Sequence, residues 1–397
     1  MLNINLSHQQ WLKSPHLIHL MDVLNQNGVN AKIVGGAVRD ALFNHFSDDM
    51  SELQREINDI DIAVKLAPEM TMDLLHKANI KVIATGIKYG TVTAILKGKP
   101  YQITTLRRDV DHDGRWANVA FTGDWLEDAQ RRDFTINGLY LNMDGSIDDP
   151  LGGLDDIKNK RVRFIGEPQQ RIREDALRIL RFLRFNSQID VSEIDSEGLL
   201  ACLALKDMIN ILSGERIWQE FRKILGSDNQ GEIIKLMDQN GLLKIIIPQH
   251  QPLDQLMNFL KQENKFGLCD VIGRLSCLLP HAPVIINTVA DDLKLSNGQT
   301  KTLNHYCATE GDFSIAETNI RKLLYQYGKK IVIHKLCRAG TLTETLLAYI
   351  KVYKIPQFPL SGKDMLARGV KEGREMGAEL KRLETNWIES DFTEVEN

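Results

Sequence analysis

The stretch Asn58-Asp59-Ile60-Asp61-Ile62-Ala63-Val64 places two acidic residues, one position apart, at the start of an apolar run. Side chains alternate between the two faces of a β-strand, so the stretch predicts Asp59 and Asp61 on one face and Ile60 and Ile62 in a core. Two neighbouring carboxylates repel each other unless a cation lies between them, and Mg²⁺ prefers oxygen ligands of this kind. A metal site is one interpretation; a solvated pair on an amphipathic edge strand is the other.

Upstream, Gly35-Gly36-Ala37-Val38-Arg39-Asp40 follows a short predicted strand and leads into a predicted helix. Glycines at such a turn let the backbone approach a bound group, and a helix N-terminus offers free N–H groups and a positive dipole end to a phosphate. Gly36 and Arg39, in the first turn, are candidates to contact that anion. An ordinary tight turn is the alternative, but the aspartate pair farther along favours a phosphate site beside a metal site.

A third cluster is Arg131-Arg132-Asp133-Phe134-Thr135-Ile136-Asn137. The planar guanidinium of Arg132 suits a two-pronged contact with a triphosphate, and Asp133 suits a hydrogen bond from a ribose hydroxyl. A surface charge cluster that caps the preceding helix is the alternative. The other phosphate-type features favour the binding interpretation.

A fourth cluster is the predicted helix 174–185, where charged residues recur at every third position and therefore follow one slowly rotating face. The charged row consists of Asp175, Arg178, Arg181 and Arg184, beside a leucine row of Leu177, Leu180 and Leu183 that is predicted to anchor the core. Asp175 and Arg178 offer an acceptor and a forked donor, which match the edge of a nucleobase. Arg181 and Arg184 are expected to neutralise phosphates. A solvated helix face with internal ion pairs is the alternative.

Local charge favours a polyanion partner. Residues 158–184 contain nine Lys or Arg and three acidic residues, in a chain whose formal net charge is −4. Such a patch attracts a polyanion, and its affinity should fall with increasing salt. The later helix 214–225, which follows the N-cap candidate Ser213, is predicted to be mostly structural.

The bulk composition is that of a globular protein. The chain has 397 residues, 43% of them hydrophobic, which predicts two or three domains with ample core. The sequence has no apolar run long enough for a membrane span, and the first residues lack an apolar signal core. Five scattered cysteines without a C-x-x-C pair are typical of reduced thiols. We therefore expect a cytoplasmic protein that does not bind membranes.

The predicted elements change character along the chain. They are an amphipathic helix over 8–28, a strand over 31–34, the aspartate strand, a helix over 68–78, β-segments at 82–84, 91–96 and 101–105, a mobile loop over 110–122, a last strand over 136–141, a helix over 168–185 and mainly helices thereafter. The best domain boundary lies at Met143-Asp144-Gly145-Ser146, and a weaker one lies near Pro248.

In chain order, the motifs at 35–40, 59–61, 131–137, 174–178 and 215–217 resemble those of the class II tRNA nucleotidyltransferases, the CCA-adding enzymes. The resemblance is dense over residues 31–225. It is weaker beyond, where 359–364 is similar to a segment near the C-terminus of that family. It implies an α+β fold: a polymerase-β-like nucleotidyltransferase head with a small mixed sheet, followed by an all-helical neck, body and tail. The expected domains are 1–145 (head), 146–248 (neck with the base-reading helix) and 249–397 (tRNA-binding body and tail).

The resemblance also implies a function. The family adds C, C and A to the 3′ end of tRNA from CTP and ATP, without a nucleic-acid template, by two-metal-ion transfer that releases pyrophosphate. The expected partners are the tRNA 3′ end and acceptor stem, and not DNA. Carried over by motif, Asp59 and Asp61 bind catalytic Mg²⁺; the nucleotide-binding set is Gly36, Arg39, Arg132, Asp133, Glu174, Asp175, Arg178, Arg181 and Arg184. Within this set, Glu174 is expected to orient Arg178.

Two points stay open on the sequence alone. Gln102 stands where relatives often have a glutamate, and an amide cannot supply a third anionic metal ligand, so only two carboxylates are assigned. The function is the second open point, because a bacterial poly(A) polymerase shares the head motifs. Further alternatives are an enzyme that adds only CC or only A and a non-catalytic RNA-binding protein. The acidic residues 389–397 favour CCA addition over polyadenylation, and the segment 109–122 is expected to reposition the base-reading pair between C and A.

Overall fold

The computed structural model describes residues 4–47, 55–113, 116–189, 193–308 and 317–393. The chain forms two compact units, Met1–Ile233 and Ile234–Asn397. The first unit combines β-sheets with helices, and the described part of the second contains only helices. The predicted α+β class with a helical C-terminal half is therefore confirmed.

The core of the first unit is a seven-stranded mixed sheet. Its strands are β1 (Lys32–Val34), β2 (Asp61–Val64), β3 (Lys81–Gly86), β4 (Thr91–Leu96), β5 (Lys99–Thr105), β8 (Tyr140–Leu141) and β9 (Ile147–Asp148); a separate two-stranded sheet consists of β6 (Arg107–Asp113) and β7 (Trp116–Phe121). The order in the large sheet is β3-β4-β5-β2-β1-β8-β9. The strands β2 and β5 pair in parallel, whereas the other neighbours are antiparallel.

The strand β2 lies between β1 and β5, and its first residue, Asp61, pairs with Val34 of β1 and Gln102 of β5. Ile60 and Ile62 are at most 3% exposed, as predicted from the alternation. The predicted start of the strand at Asp59 is wrong. The strand β1 ends at Val34, the partner of Asp61, and the chain then enters a helix, so β1 offers no partner to the residues before Asp61.

Helices pack around this sheet. The helices of the sheet region are α1 (Pro15–Leu24), α2 (Gly36–Phe46), α3 (Pro68–Lys77), α4 (Trp125–Gln130) and α5 (Gly153–Lys158). The prediction of one helix over 8–28 is wrong, since a 3₁₀ turn precedes α1 and another follows it. Ser14 has extended backbone angles (φ −60°, ψ 122°), because a residue before a proline is disfavoured in the helical region.

The segment 110–122, predicted as a mobile loop, lies largely in the β6–β7 hairpin, and that prediction is wrong. The two strands pair antiparallel from Arg107↔Phe121 to Asp113↔Trp116, with a register irregularity between Asp109 and Asp111. The sequence lacks apolar alternation here, but a two-stranded ladder is held by backbone hydrogen bonds, which do not require it. Residues 114–115 lie outside the described part of the chain.

The strand predicted over 136–141 is shorter than expected. A 3₁₀ turn, Thr135–Asn137, occupies its first half, and only Tyr140–Leu141 pair as β8. The predicted boundary at 143–146 coincides with the turn between β8 and β9, where the Asn142 N–H donates to the Ser146 carbonyl at 2.9 Å. The strands on both sides of this turn therefore belong to one sheet.

The rest of the first unit is helical. Its helices are α6 (Pro168–Glu174), α7 (Leu177–Gln188), α8 (Ser196–Ala204) and α9 (Gly214–Leu225). The single helix predicted over 168–185 is wrong, because Asp175 is extended (φ −152°, ψ 106°) and separates α6 from α7. The Asp175 carboxylate accepts the Leu177 N–H at 3.1 Å, and such a side-chain bond to the backbone competes with a continuous helix.

The helices from the unit boundary onward are α10 (Gln230–Gln239), α11 (Leu242–Ile246), α12 (Asp254–Phe266), α13 (Val271–Ser276), α14 (Pro283–Asp292), α15 (Asn297–Cys307), α16 (Glu317–Ala339), α17 (Glu344–Val352), α18 (Gly362–Ala367) and α19 (Arg374–Glu389). Gly328 (φ 77°) bends α16. All five cysteines are free thiols. Among the described residues, none of the helices has the length and apolarity needed to cross a membrane.

Candidate active site

The turn between β1 and α2 forms one wall of the candidate site. Gly35 has φ 78°, a conformation that favours glycine. A Cβ atom at Gly35 would lie 3.6 Å from Oδ2 of Asp61. The absence of a side chain at this position therefore leaves room beside the carboxylate at the start of β2.

Asp61 is partly buried, and burial raises the pKa of its carboxyl above the ordinary value. The positive charge of Arg132 opposes that rise, and the negative charge of Asp59 adds to it. Asp59 is exposed, one residue before the buried Ile60. Two neighbouring carboxylates fit a divalent cation, which would offset both negative charges. The described residues include no group of three or more His, Cys, Asp or Glu arranged for a metal ion.

Arg39 projects from the first turns of α2 and has its guanidinium fixed by neighbours. Nε and Nη2 donate to the Asp40 carboxylate at 3.0 and 2.9 Å, and Nη1 donates to Oδ1 of Asn137 at 2.8 Å. The guanidinium also lies 4.8 Å from the ring centroid of Phe185, a cation–π distance. Arg39 is therefore held in place beside the Gly35 turn.

Asp128 orients the two adjacent arginines. Its side chain is 1% exposed and pairs with Arg131 at 2.8 Å and with Arg132 at 2.9 Å. The Tyr140 hydroxyl donates to the same carboxylate at 2.8 Å. Burial alone would raise the pKa of Asp128, but Arg132 and Arg131 outweigh it and hold the pKa at about 2. Asp128 therefore stays ionised and fixes both guanidinium groups.

Asp133 is similarly paired. Its carboxylate accepts from Nε of Arg181 at 2.6 Å and from Nδ2 of Asn137 at 2.9 Å. Burial would raise the pKa of Asp133, but Arg181, with the Asn137 hydrogen bond, holds it at about 2. The position predicted to accept a ribose hydroxyl is thus an ionised acceptor.

The break between α6 and α7 positions the predicted base-reading pair. Nη2 of Arg216, on α9, donates to both carboxylate oxygens of Asp175 at 3.0 and 2.9 Å. Arg178 donates to the Glu174 carboxylate at 2.6 Å and to the Arg171 carbonyl at 2.7 Å. The contact that Glu174 was expected to make with Arg178 is present.

Arg184 follows Arg181 by three residues on α7 and adds a further guanidinium group to the site. Its Nε pairs with the buried Glu220 of α9 at 2.5 Å. The ring centroid of Phe185 lies 3.9 Å from the Arg184 guanidinium and 5.5 Å from that of Arg181. With Arg39, three guanidinium groups therefore surround one aromatic ring.

These side chains line a single cavity of about 660 Å³. Its lining consists of Gly35, Gly36, Arg39, Asp61, Arg107, Arg131, Arg132, Asp133, Asn137, Asp175, Leu177, Arg178, Arg181, Arg184, Phe185 and Arg216. Eight arginines thus face three carboxylates, a balance suited to a polyanion. Of the predicted site residues, Asp59 and Glu174 are outside this lining, although Glu174 contacts Arg178.

Several lining residues had no assigned role in the sequence analysis. Leu177 was expected in the core but faces the cavity, because α7 begins only at that residue. Arg216 lies in a helix predicted to be mostly structural, yet it contacts Asp175. Both residues belong to the motifs at 174–178 and 215–217 or lie beside them, and this was the only sequence signal that could have identified them. Their position in the cavity depends on how α7 and α9 pack.

Comparison with known proteins identifies the fold and the family. The family model for the Poly A polymerase head domain matches residues 31–163, and that for the probable RNA- and SrmB-binding site of polymerase A matches 193–253. The CCA tRNA nucleotidyltransferase 1, mitochondrial, of Homo sapiens is 34% identical over 397 residues, with 96% of this chain and 88% of the relative covered. The chain belongs to the CCA-adding tRNA nucleotidyltransferase family. A CCA-adding enzyme of Streptococcus pyogenes serotype M1 is 30% identical, with 95% and 94% covered.

The same fold is present in solved structures. The CCA-adding enzyme of Bacillus stearothermophilus in complex with CTP superposes with a TM-score of 0.74 at 24% identity, over 98% of this chain and 94% of the other. This likeness confirms the predicted polymerase-β-like head with its helical continuation. The chain is therefore a tRNA nucleotidyltransferase of the CCA-adding family, and its basic cavity lies in the unit that contains the head.

Proposed function

We propose that this protein adds C, C and A to the 3′ end of tRNA, using CTP and ATP without a nucleic-acid template. The observation that carries the proposal is the cavity, which joins a carboxylate site at Asp61, an arginine-rich wall and an acid–arginine pair, Asp175 and Arg178. Relatives that match nearly the whole chain carry this activity in their names.

Asp59 and Asp61 are the residues proposed to hold the divalent ions, and Mg²⁺ is the proposed ion. When bound, such ions lower the pKa of an attacking hydroxyl and offset charge on the phosphates and the leaving pyrophosphate. The open space beside Gly35 and the raised pKa of Asp61 support this assignment. The protein's own contribution is to place Asp61 at the start of β2, two residues after the exposed Asp59.

The arginines supply the binding site for the triphosphate. The backbone N–H of Gly36 opens α2, and Arg39 follows in the same turn. Arg132, Arg181 and Arg184 face the same cavity, and each is fixed by a carboxylate before a nucleotide arrives. Guanidinium groups held in place lose less entropy on binding a phosphate, so their contribution to affinity is larger. Asp133 is the proposed acceptor for a ribose hydroxyl.

Base selection follows from hydrogen-bond chemistry. Cytosine and adenine each present an exocyclic amino donor next to a ring-nitrogen acceptor, whereas uracil and guanine present a carbonyl next to a ring N–H. A carboxylate at Asp175 and a guanidinium at Arg178 match the first pattern and oppose the second. The pair would therefore accept C and A and reject U and G. Arg216 donates to the Asp175 carboxylate, and Arg178 donates to the Glu174 carboxylate, so each group of the pair has a fixed neighbour.

The remaining assignments follow the same scheme. We propose the tRNA 3′ end and acceptor stem as the RNA partner, with head, neck and body-plus-tail limits at 1–145, 146–248 and 249–397. The match of 193–253 to an RNA-binding family model supports an RNA partner. We also propose a cytoplasmic location; the name of the human relative specifies mitochondria, so fractionation of cells carrying the tagged protein should decide.

A poly(A) polymerase is the second candidate, because the head matches a family model named after that enzyme. The test is to incubate purified protein with tRNA that lacks its 3′ end, with CTP, ATP or both, and to sequence the products. CCA addition with both nucleotides is the expected result. A long A tract would indicate the polymerase, and products that stop at CC, or that gain only A on a CC end, would indicate a partial enzyme.

A further inference from the structure

We propose that Arg171 fixes the base-reading Arg178 relative to the segment 131–132, and that this bridge helps to set the choice between cytosine and uracil. Arg171 is a positioning residue, because it is not among the residues that line the cavity. The inference rests on the proposed base-reading role of Arg178. It concerns a residue to which the motifs assign no role.

The Arg171 side chain joins two segments that are far apart in the sequence. Nη2 donates to the backbone carbonyls of Arg131 and Arg132 at 2.6 and 2.7 Å. Nη1 donates to the Glu174 carboxylate at 2.5 Å. The Arg131 carbonyl belongs to the C-cap of α4, and the C-terminus of a helix favours a cation. Arg171 is 8% exposed, so its guanidinium ties the end of α4 to the end of α6 in a site shielded from water.

The contacts continue from this bridge to Arg178. Nη1 of Arg178 donates at 2.6 Å to Oε2 of Glu174, the same oxygen that accepts from Nη1 of Arg171. The same Nη1 of Arg178 donates to the Arg171 carbonyl at 2.7 Å. Both contacts cross the break between α6 and α7, where Asp175 is extended. The Arg178 guanidinium is thus held by two groups whose positions Arg171 helps to fix.

The two ends of the bridge serve different parts of one nucleotide. Arg132 and Arg178 both line the cavity; the first is proposed to contact the triphosphate, and the second is proposed to contact the base. Because base and triphosphate belong to one molecule, the spacing of these two guanidinium groups decides whether a bound nucleotide presents its base edge in register. A misplacement of about 1 Å in a reacting complex can cost about 100-fold in rate. A planar guanidinium with three fixed acceptors restricts such a displacement.

The experiment measures the ratio of kcat/KM for CTP to that for UTP, with the full-length protein and tRNA that lacks its 3′ end. Arg171→Gln should lower this ratio about tenfold, the size expected for one base contact. Arg171→Lys should lower it about threefold, because an ammonium group keeps the charge but lacks the planar fork; this milder variant carries the test if Arg171→Gln does not fold.

Two controls accompany the ratio. Inhibition by inorganic tripolyphosphate should change little in both Arg171 variants, since Asp128 still anchors Arg132. Arg173→Gln is the matched substitution, because Arg173 is an exposed arginine of the same helix that donates to Gln169 at 3.0 Å. It should leave the ratio unchanged.

Four other outcomes would overturn the inference. An unchanged ratio in Arg171→Gln, while Arg178→Gln lowers it, would show a purely structural role and leave the proposed function intact. The full ratio in Arg171→Lys would mean that a positive charge beside Glu174 suffices without the carbonyl contacts. Weaker inhibition by tripolyphosphate at an unchanged ratio would assign Arg171 to the triphosphate site. Equal incorporation of CTP and UTP by the unaltered protein would overturn the base-reading role of Arg178 and the inference together.

Discussion

Replacing Asp128 by asparagine should destabilise the protein through the arginines that it fixes. The carboxylate is 1% exposed and pairs with Arg131 and Arg132. Its pKa is held at about 2, against an ordinary value of 3.8. At about 1.4 kcal/mol per pKa unit, this difference corresponds to about 2 kcal/mol of stability. Loss of the charge also leaves two partly buried guanidinium groups unpaired, so the expected total cost is about 3 kcal/mol.

The cost should depend on pH in one direction. A carboxyl whose pKa is lower in the folded state stabilises the protein above its unfolded pKa, and that contribution disappears as the pH falls toward the folded value. For Asp128 the window runs from about pH 4 down to about pH 2. The difference in unfolding free energy between the unaltered protein and Asp128→Asn should therefore shrink across this window.

Urea-induced unfolding, followed by tryptophan fluorescence at neutral pH and near pH 3, measures this difference. Tyr140→Phe is the matched control, because it removes one hydrogen bond to the same carboxylate and should cost about 1 kcal/mol without changing the ion pairs. A cost for Asp128→Asn that stays below about 1 kcal/mol at neutral pH, or that is equal at both pH values, would refute the argument that burial and arginine pairing fix this carboxylate. The KM for CTP should rise in the same variant, since Arg132 loses its anchor.

Three further predictions concern the reaction. Asp61→Ala should abolish incorporation of labelled CTP while tRNA still binds in a gel-shift assay; measurable incorporation would contradict the metal assignment. Arg216→Gln frees the Asp175 carboxylate and should lower discrimination between CTP and UTP, measured as a ratio of kcat/KM, by about tenfold; an unchanged ratio would count against a positioning role. Deletion of 109–122, which contains most of the β6–β7 hairpin, should leave CC addition intact and reduce A addition; undiminished A addition would contradict the proposed role of this segment in repositioning the base-reading pair.

The sequence predicted the parts of the site that depend on local pattern. The alternation around Asp61 placed Ile62 in the core, and it did so because one face of β2 is buried. The glycine turn before α2 was also predictable, since a strand that ends at Val34 and a helix that begins at Gly36 leave a single residue for the reversal. These features need no information from distant residues.

The sequence did not predict the features that depend on packing between elements. The helical period continues across Asp175, so the break between α6 and α7 is invisible in it; the break accompanies the bond to Leu177 and the contact from Arg216. The pairing of β6 with β7 rests on backbone bonds that side chains do not reveal. Gln102 was recognised as a departure, but only the parallel register shows that it lies beside Asp61.

The arrangement of ion pairs in the cavity has a consequence for repeated turnover. Seven of the eight arginines that line it pair with carboxylates: Arg39 with Asp40, Arg131 and Arg132 with Asp128, Arg178 with Glu174, Arg181 with Asp133, Arg184 with Glu220 and Arg216 with Asp175. An incoming triphosphate must compete with these acids, which lowers its net gain. When pyrophosphate departs, the same carboxylates pair with the arginines again. The empty site therefore carries little unpaired positive charge between one addition and the next.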